Sequence, residues 1–169
     1  MINRLKISLV IAPLALLLVI IAYIYSLWVT ERQKINEQPV EAVGTMMRDL
    51  LRYHQMRGRF PESLKKLEGV VWDMKQSREY SANDRAISHL HYYYIYTPIS
   101  MKHFTLWAIP TGKHRDESSS WFLAVTPELC RRWKGPAIVL EQTNLVNGNP
   151  TINDLGVLGL TEQNLVQLK

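Results

Sequence analysis

The sequence predicts an α+β protein with one N-terminal transmembrane helix, an amphipathic helix packed on a small antiparallel β-sheet, and an extended C-terminal tail. Residues 7–29 carry no charge, residues 41–57 place their apolar side chains at helical spacing, and residues 89–126 contain short aromatic and β-branched runs. The predicted boundaries are a cytoplasmic tail at 1–6, a transmembrane helix at 7–29, a linker at 30–40, an extracytoplasmic domain at 41–141 and the tail at 142–169.

Residues 7–29 are long enough to cross a bilayer. As a helix, this run would span roughly 34 Å, against about 30 Å for a hydrocarbon core. Backbone groups in lipid must be satisfied internally, so a helix is required. The alternative is a cleaved signal peptide, but the run is longer than the usual apolar core and no A-x-A-like cleavage site follows it. The sequence therefore favours a retained anchor.

Aromatic residues cluster at the C-terminal end of this run. Tyr23, Tyr25 and Trp28 are predicted to lie at the membrane interface, since amphipathic rings prefer headgroup depth. The lipid bilayer is thus the first predicted partner.

The charges flanking the run bear on its orientation. Arg4 and Lys6 precede it, and Arg32 and Lys34 follow it, so the positive-inside comparison is nearly balanced. A short basic tail before a long domain favours a cytoplasmic N-terminus. We expect a bacterial inner-membrane protein with a periplasmic main domain.

The predicted domain begins after a polar linker. Residues 30–40 contain Pro39, which predicts a break or kink in the helix. The amphipathic helix at 41–57 should stop at Gly58, and Pro61 should begin a short helix.

Four strands are predicted to follow as an antiparallel meander, with one face packed on the 41–57 helix. Their predicted positions are 89–97, 103–109, 120–126 and 137–141.

The C-terminal tail is rich in Asn and Gly, with isolated apolar side chains. It has too few apolar residues in register for a core of its own, so it either packs back on the domain or lies along a partner. The candidate docking residues are Leu155, Val157, Leu158, Leu160, Leu165, Val166 and Leu168.

The order of these elements resembles that of type IV pilin-like proteins, in particular the major pseudopilins of type II secretion. The resemblance covers roughly residues 7–126 and implies a pilin-like fold. Its motifs are Gly58-Arg59-Phe60-Pro61 followed by Leu64 and Leu67, an aromatic strand with Tyr92, Tyr94 and Tyr96, the Ala108-Ile109-Pro110 strand end, and the apolar strand from Trp121 to Val125.

Three departures from the family bear on polymerisation. The prepilin processing motif is not found before Pro13, no acidic residue precedes Glu31, and Pro39 would interrupt the helix that packs in a filament core. The family's calcium-binding aspartate pair also has no counterpart. The resemblance therefore implies the fold more than filament assembly.

Three histidines are candidate metal ligands. His89 and His91 stand two residues apart on one predicted strand, and His103 begins the next, so the three could share an ion. The alternative is that these are partly exposed histidines on strands, because spacing alone does not show that the side chains meet at one metal ion.

The run of Tyr92, Tyr93, Tyr94 and Tyr96 is open to two interpretations. It could form a stacking platform for a ligand, or three of its rings could fill the core facing the helix. Strand periodicity favours the core.

Other reactive side chains carry weaker signals. Ser118–Ser120 lie near His114 and Asp116 and have the residue types of a hydrolase triad, but they lack a nucleophile turn such as Gly-x-Ser-x-Gly. Cys130 lies beside Arg131 and Arg132, which could lower its pKa, but a structural thiol is the favoured interpretation. The basic run from Arg131 to Lys134 either contacts lipid headgroups or an acidic partner, or is a solvated loop. Nucleic acid is not a predicted partner, because the sequence lacks the dense run of basic residues that would indicate one.

Together these features predict a non-enzymatic, single-pass accessory or scaffolding subunit of a larger membrane complex, without a cofactor. Integral membrane subunits of an energy-converting, photosynthetic or respiratory, assembly are the predicted partners. The alternatives are a pseudopilin or minor pilin of a type II secretion or type IV pilus machine, and a membrane-anchored metal-binding protein.

Overall fold

A computed structural model describes residues 2–74, 79–81, 84–89, 92–112, 115–145, 150–164 and 166–167. The chain divides into two compact units, Met1–Glu37 and Gln38–Lys169. The elements are helix α1 (Ile2–Arg57), a 3₁₀ turn (Leu64–Leu67), strands β1 (Ala86–His89), β2 (Tyr92–Ser100) and β3 (His103–Pro110), a second 3₁₀ turn (Arg115–Glu117), strands β4 (Ser120–Val125) and β5 (Leu129–Gly135), helices α2 (Leu140–Leu145) and α3 (Ile152–Val157), and strands β6 (Thr161–Glu162) and β7 (Val166–Gln167). This confirms an α+β chain with an apolar N-terminal helix and an antiparallel sheet.

Helix α1 continues through Pro39, so the predicted break at this proline is wrong, and residues 30–40 are helical. An interior proline costs a helix about 3 kcal/mol. The helix nevertheless extends past Pro39 to Arg57. The helix ends as predicted at Gly58, whose φ of 71° suits glycine and whose N–H donates to the His54 carbonyl at 2.7 Å.

Within the described residues the sheet contains seven strands, with a continuous antiparallel path from β1 to β6 and with β7 also paired to β5. The single strand predicted at 89–97 is wrong, because His89 pairs with Tyr92 and the chain reverses between them. The strand predicted at 137–141 is also wrong. The fourth long strand is β5, and Leu140 begins α2 instead. The adjacent Arg131 and Arg132 break the apolar/polar alternation that would have indicated a strand at β5.

One face of the sheet packs against the C-terminal third of α1, as predicted. Leu50 is fully buried, and Val43, Met46 and Tyr53 continue its stripe along the helix. The Trp72 indole N–H donates to the Asp49 carboxylate at 2.6 Å, joining the following loop to α1. The sheet residues of this first core are Ile87, Tyr92, Tyr94, Tyr96, Phe104, Leu106, Ala108, Leu123, Val125 and Cys130.

The opposite face is covered by the C-terminal segment, which the sequence did not predict to have a core. Leu155 and Leu160 are almost completely buried there with Ile138. A Thr151–Asp154 capping box begins α3 and positions Leu155. The sheet residues of this second core are Trp107, Ile109, Phe122 and Trp133.

The last described residues cover the outer edge of β5. Lys134 pairs with Thr161, and Cys130 pairs with Val166. Edge strands expose unpaired backbone groups, and these two short pairings cover part of that edge. The 142–169 segment is therefore part of the folded unit and not an extended tail.

Candidate functional site: the exposed apolar segment of α1 and the sheet surfaces

The main candidate site is the apolar part of α1, whose side chains are described from Leu14 onward. Among the described residues, one helical segment is long and apolar enough to cross a membrane, Leu14–Ile35. Its large apolar side chains between Leu14 and Val29 are 40–65% exposed. A contiguous apolar surface of this extent marks a membrane or protein interface.

Two hydroxyl groups within this segment are satisfied locally. The Ser26 hydroxyl donates to the Tyr23 carbonyl at 2.8 Å, and the Thr30 hydroxyl donates to the Ser26 carbonyl at 2.7 Å. Such back-bonding lets short hydroxyl side chains enter an apolar phase. The segment therefore has the hydrogen-bond balance that a membrane helix needs.

An aromatic and cationic group ends the segment. The Tyr25 and Trp28 rings have centroids 6.2 Å apart, and the Arg32 guanidinium carbon lies 3.9 Å from the centroid of the Trp28 ring. Tyr23, Tyr25 and Trp28 are all exposed, so they are available to the interface that the sequence predicts.

The three candidate metal ligands are not brought together. His89 pairs with Tyr92 at one end of β2, whereas His103 pairs with Ser100 at the other end. At about 3.3 Å per residue, these positions are on the order of 26 Å apart, well beyond a shared coordination sphere. His91 lies outside the described residues. A shared His89–His103 site is therefore wrong, because the antiparallel pairing places the start of β3 beside the end of β2 and away from its start.

The tyrosines fill the first core. Tyr92, Tyr94 and Tyr96 are at most 1% exposed, and burial raises the pKa of each hydroxyl above its usual value. The Tyr96 hydroxyl donates to the Pro61 carbonyl at 2.6 Å. A stacking platform needs open ring faces, so the core interpretation is confirmed.

The nucleophile candidates also have structural partners. The Ser120 hydroxyl is buried and accepts the Ile138 N–H at 2.9 Å. Cys130 is buried, and desolvation raises the pKa of its thiol to about 11, which outweighs the opposite effect of Arg132. An activated thiol requires a lowered pKa, so Cys130 has the opposite environment. His114 lies outside the described residues.

The basic run from Arg131 to Lys134 lies on strand β5 and not on a loop. Arg131 makes two hydrogen bonds to the Glu162 carboxylate at 2.8 and 3.0 Å and lies 4.9 Å from the Trp133 ring centroid. The Lys134 ammonium lies 5.2 Å from the centroid of Trp121. Strand alternation sends Arg131 and Lys134 to opposite faces, so the run is not one basic patch.

Among the candidate docking residues, Leu155 and Leu160 are buried in their own domain and are not available to a partner. Leu158 is partly buried against the same core. Val157 is 88% exposed. Val166 pairs with Cys130 through its backbone, and Leu165 and Leu168 lie outside the described residues.

A shallow groove of about 240 Å³ lies beside α3 on the second face. Phe122, Trp133 and Leu155 supply its apolar walls, and His103 and Arg131 are among its polar lining residues. Partial burial lowers the pKa of His103. The sequence did not predict this groove, because it forms only when the tail folds back over the sheet.

Comparisons with protein-family models, with characterised proteins and with solved structures find no match to this chain.

Proposed function

We propose that this protein is a non-enzymatic, single-pass membrane-anchored subunit that scaffolds a larger membrane protein complex. The observation that carries the proposal is the exposed apolar surface between Leu14 and Val29. The same helix continues into the stripe from Val43 to Tyr53, which is core. One element would thus serve as both anchor and structural centre.

The energetics support lipid as the environment of the apolar segment. Transfer of apolar surface from water gains about 25 cal/mol per Å², and a helix satisfies its own backbone inside a bilayer. The described part of the segment, Leu14–Val29, contains no ionisable side chain other than Tyr. Anchoring, rather than proton or ion transfer, is the role this composition fits.

The proposed location is a bacterial inner membrane, with the N-terminus in the cytoplasm and residues 30–169 in the periplasm. The proposed partners are integral membrane subunits, with energy-converting assemblies as the leading class. Docking would use bilayer helix packing and exposed domain residues such as Val157.

A second candidate is a pseudopilin-like subunit of a secretion or pilus machine. One structural observation favours it, namely that α1 is continuous through Pro39. The predicted break at this proline was an argument against filament packing, and that argument no longer holds. Packing of the helix on an antiparallel sheet is also compatible with a pilin-like fold.

Anchoring is tested first, by carbonate extraction and intact-mass measurement of the full chain. We expect the protein in the membrane pellet with residues 1–29 retained. The double variant L18K/I21K should move to the soluble fraction or fail to accumulate, because each central lysine costs about 2.5–3.5 kcal/mol on insertion. The matched control M101K adds a charge at an exposed position of the folded domain and should stay in the pellet. A soluble wild type would refute the anchor.

Scaffolding is tested by mild solubilisation of native membranes, native electrophoresis and mass spectrometry of co-migrating chains. A discrete complex of fixed stoichiometry is expected. A self-only ladder, or co-migration with a secretion ATPase and its platform protein, would instead favour the pseudopilin candidate. A lone monomer would contradict both.

A further inference from the structure

We infer that Trp121, Arg132 and Lys134 form a binding site for the carboxylates of an acidic segment of a partner subunit; this rests on the proposed scaffolding function. Trp121 pairs with Lys134 across β4 and β5, and cross-strand partners project to the same face of a sheet. Arg132 lies two residues before Lys134 on β5, so it shares that face. The Lys134 ammonium lies 5.2 Å from the centroid of the Trp121 ring. These three side chains are called the Trp121 cluster below.

Two hydrogen-bond donors of the Trp121 cluster lack an acceptor. The indole nitrogen Nε1 of Trp121 and the guanidinium nitrogen Nε of Arg132 are both buried, and neither has a hydrogen-bond partner within the described part of the chain. The Arg132 side chain donates elsewhere only from Nη2, to the Asn164 carbonyl at 3.4 Å. Buried polar groups in folded proteins are nearly always hydrogen-bonded. Two unpaired donors on one face therefore favour an acceptor supplied from outside the chain.

The charge of the cluster favours an anion as that acceptor. Arg132 and Lys134 place two cations on this face, and neither forms an ion pair with another described residue. The acidic residue of β6, Glu162, is bonded to Arg131. Glu162 also pairs with Trp133, which places it on the second face of the sheet. Hydrogen bonds between ionised partners are roughly twice as strong as neutral ones, so a carboxylate gains most from this cluster.

The cluster lies at the protein surface. Trp121 and Arg132 are half-buried as whole residues, and Lys134 is exposed. Exposed side chains change rotamer within picoseconds to nanoseconds, so a ligand reaches the buried donors through side-chain motion alone. Thr161 pairs with Lys134, and the Gln163 N–H donates to the Arg132 carbonyl at 2.7 Å. Both bordering residues are uncharged, so the two cations set the charge of the site.

The spacing of the two cations fits an extended peptide. Arg132 and Lys134 are two residues apart on one strand, which is about 7 Å along its axis. Alternate residues of an extended partner segment project to one side at the same spacing. Carboxylates at positions i and i+2 of such a segment would meet both cations together. This match favours an acidic protein segment over a free anion.

The test is an NMR titration of the isotope-labelled full chain in mild detergent, observed at the indole N–H signal of Trp121, which W121F assigns. The probe is the synthetic peptide Thr-Glu-Thr-Glu-Thr, and the control peptide carries Gln in place of both Glu residues. We expect the acidic peptide to produce a saturable downfield shift of the Trp121 indole proton, because an N–H that gains an acceptor is deshielded. The control peptide should produce none.

Substitutions of the cations sharpen the titration. R132Q should weaken binding of the acidic peptide about tenfold, because a hydrogen bond between charged groups is lost. K134Q should weaken it about two- to fivefold, because an exposed ion pair contributes less. K102Q removes the same charge from an exposed lysine between β2 and β3 and should leave the affinity unchanged. K134Q changes an exposed side chain, so the test stands even if R132Q fails to fold.

Three results would overturn the site. They are equal affinity for the acidic and the control peptide, wild-type affinity in both R132Q and K134Q, and inorganic phosphate binding as tightly as the acidic peptide. The last result would show a site for free anions.

Native electrophoresis of solubilised membranes separates this site from the scaffolding proposal. If the wild type forms a discrete complex but the acidic peptide leaves the Trp121 signal unchanged, only the carboxylate site fails. If the wild type migrates as a lone monomer, the scaffolding proposal fails, and a saturable peptide shift would still support the carboxylate site.

Discussion

The two faces of the sheet are buried by different means. The first face is covered mainly by one long helix, whose stripe from Val43 to Tyr53 repeats at helical spacing, and Phe60, Leu64 and Leu67 of the following segment add to that cover. The second is covered by short elements separated by loops, with Ile138, Leu155 and Leu160 as isolated contributors. Both faces reach the same near-complete burial. Burial thus depends on where the side chains lie in the folded structure, whereas burial can be predicted from the sequence only where apolar residues recur at a regular period.

The largest expected effect comes from removing the cover of the second face. A chain ending at Leu145 would expose Trp107, Phe122 and Trp133, which form the sheet side of that core. It would also uncover the β5 edge. We expect aggregation and loss of cooperative thermal unfolding, measured by circular dichroism of the detergent-solubilised protein. A truncated chain with a wild-type melting transition would show that the tail is dispensable.

Single leucines test whether the two faces contribute equally. Leu50 and Leu155 are both at most 1% exposed, so L50A and L155A should each lower the free energy of unfolding by about 2–5 kcal/mol. Chemical denaturation of both variants measures this. V157A, at a widely exposed position two residues from Leu155, is the control and should change stability little. A near-neutral L155A would mean that the second face is loosely packed.

The contrast between the two faces of the sheet also explains which elements could be predicted from the sequence. A regular residue pattern continues without interruption in the elements that the sequence predicts. These elements are the apolar run, the helix to Arg57, and strands β3 and β4. Strand β5 was missed because Arg131, Arg132 and Lys134 interrupt its apolar pattern, although their aliphatic stems lie on a sheet. The β1–β2 reversal was missed because residues 89–97 read as one aromatic run. The groove lined by His103 joins parts distant in sequence, which no local pattern reveals.

The crossing of the tail over the end of β5 gives a smaller, local test. A Cβ at Gly135 would lie 2.7 Å from the Gly159 carbonyl oxygen, a backbone atom that cannot rotate away. G135A should therefore destabilise the protein by about 1–3 kcal/mol through overpacking. The control is G44A, because a Cβ there meets nothing within 4 Å and alanine favours a helix by up to about 1 kcal/mol. If G135A is as stable as the wild type, the tail does not cross β5 at this distance.

The smallest expected effect is a pH dependence confined to the second face. Burial lowers the pKa of His103 in the folded state below its ordinary value near 6.5. Between the two pKa values the unfolded chain binds more protons, so stability falls as pH drops from about 6.5 through the folded-state pKa. His103 is partly exposed, so solvent screening keeps this loss small. We therefore expect the difference in melting temperature between the wild type and H103Q to change as the pH falls from 7.5 toward 5. The melting temperature of the variant should fall less than that of the wild type. Parallel curves would show that His103 is solvated in the folded protein and that the groove beside α3 does not shield it.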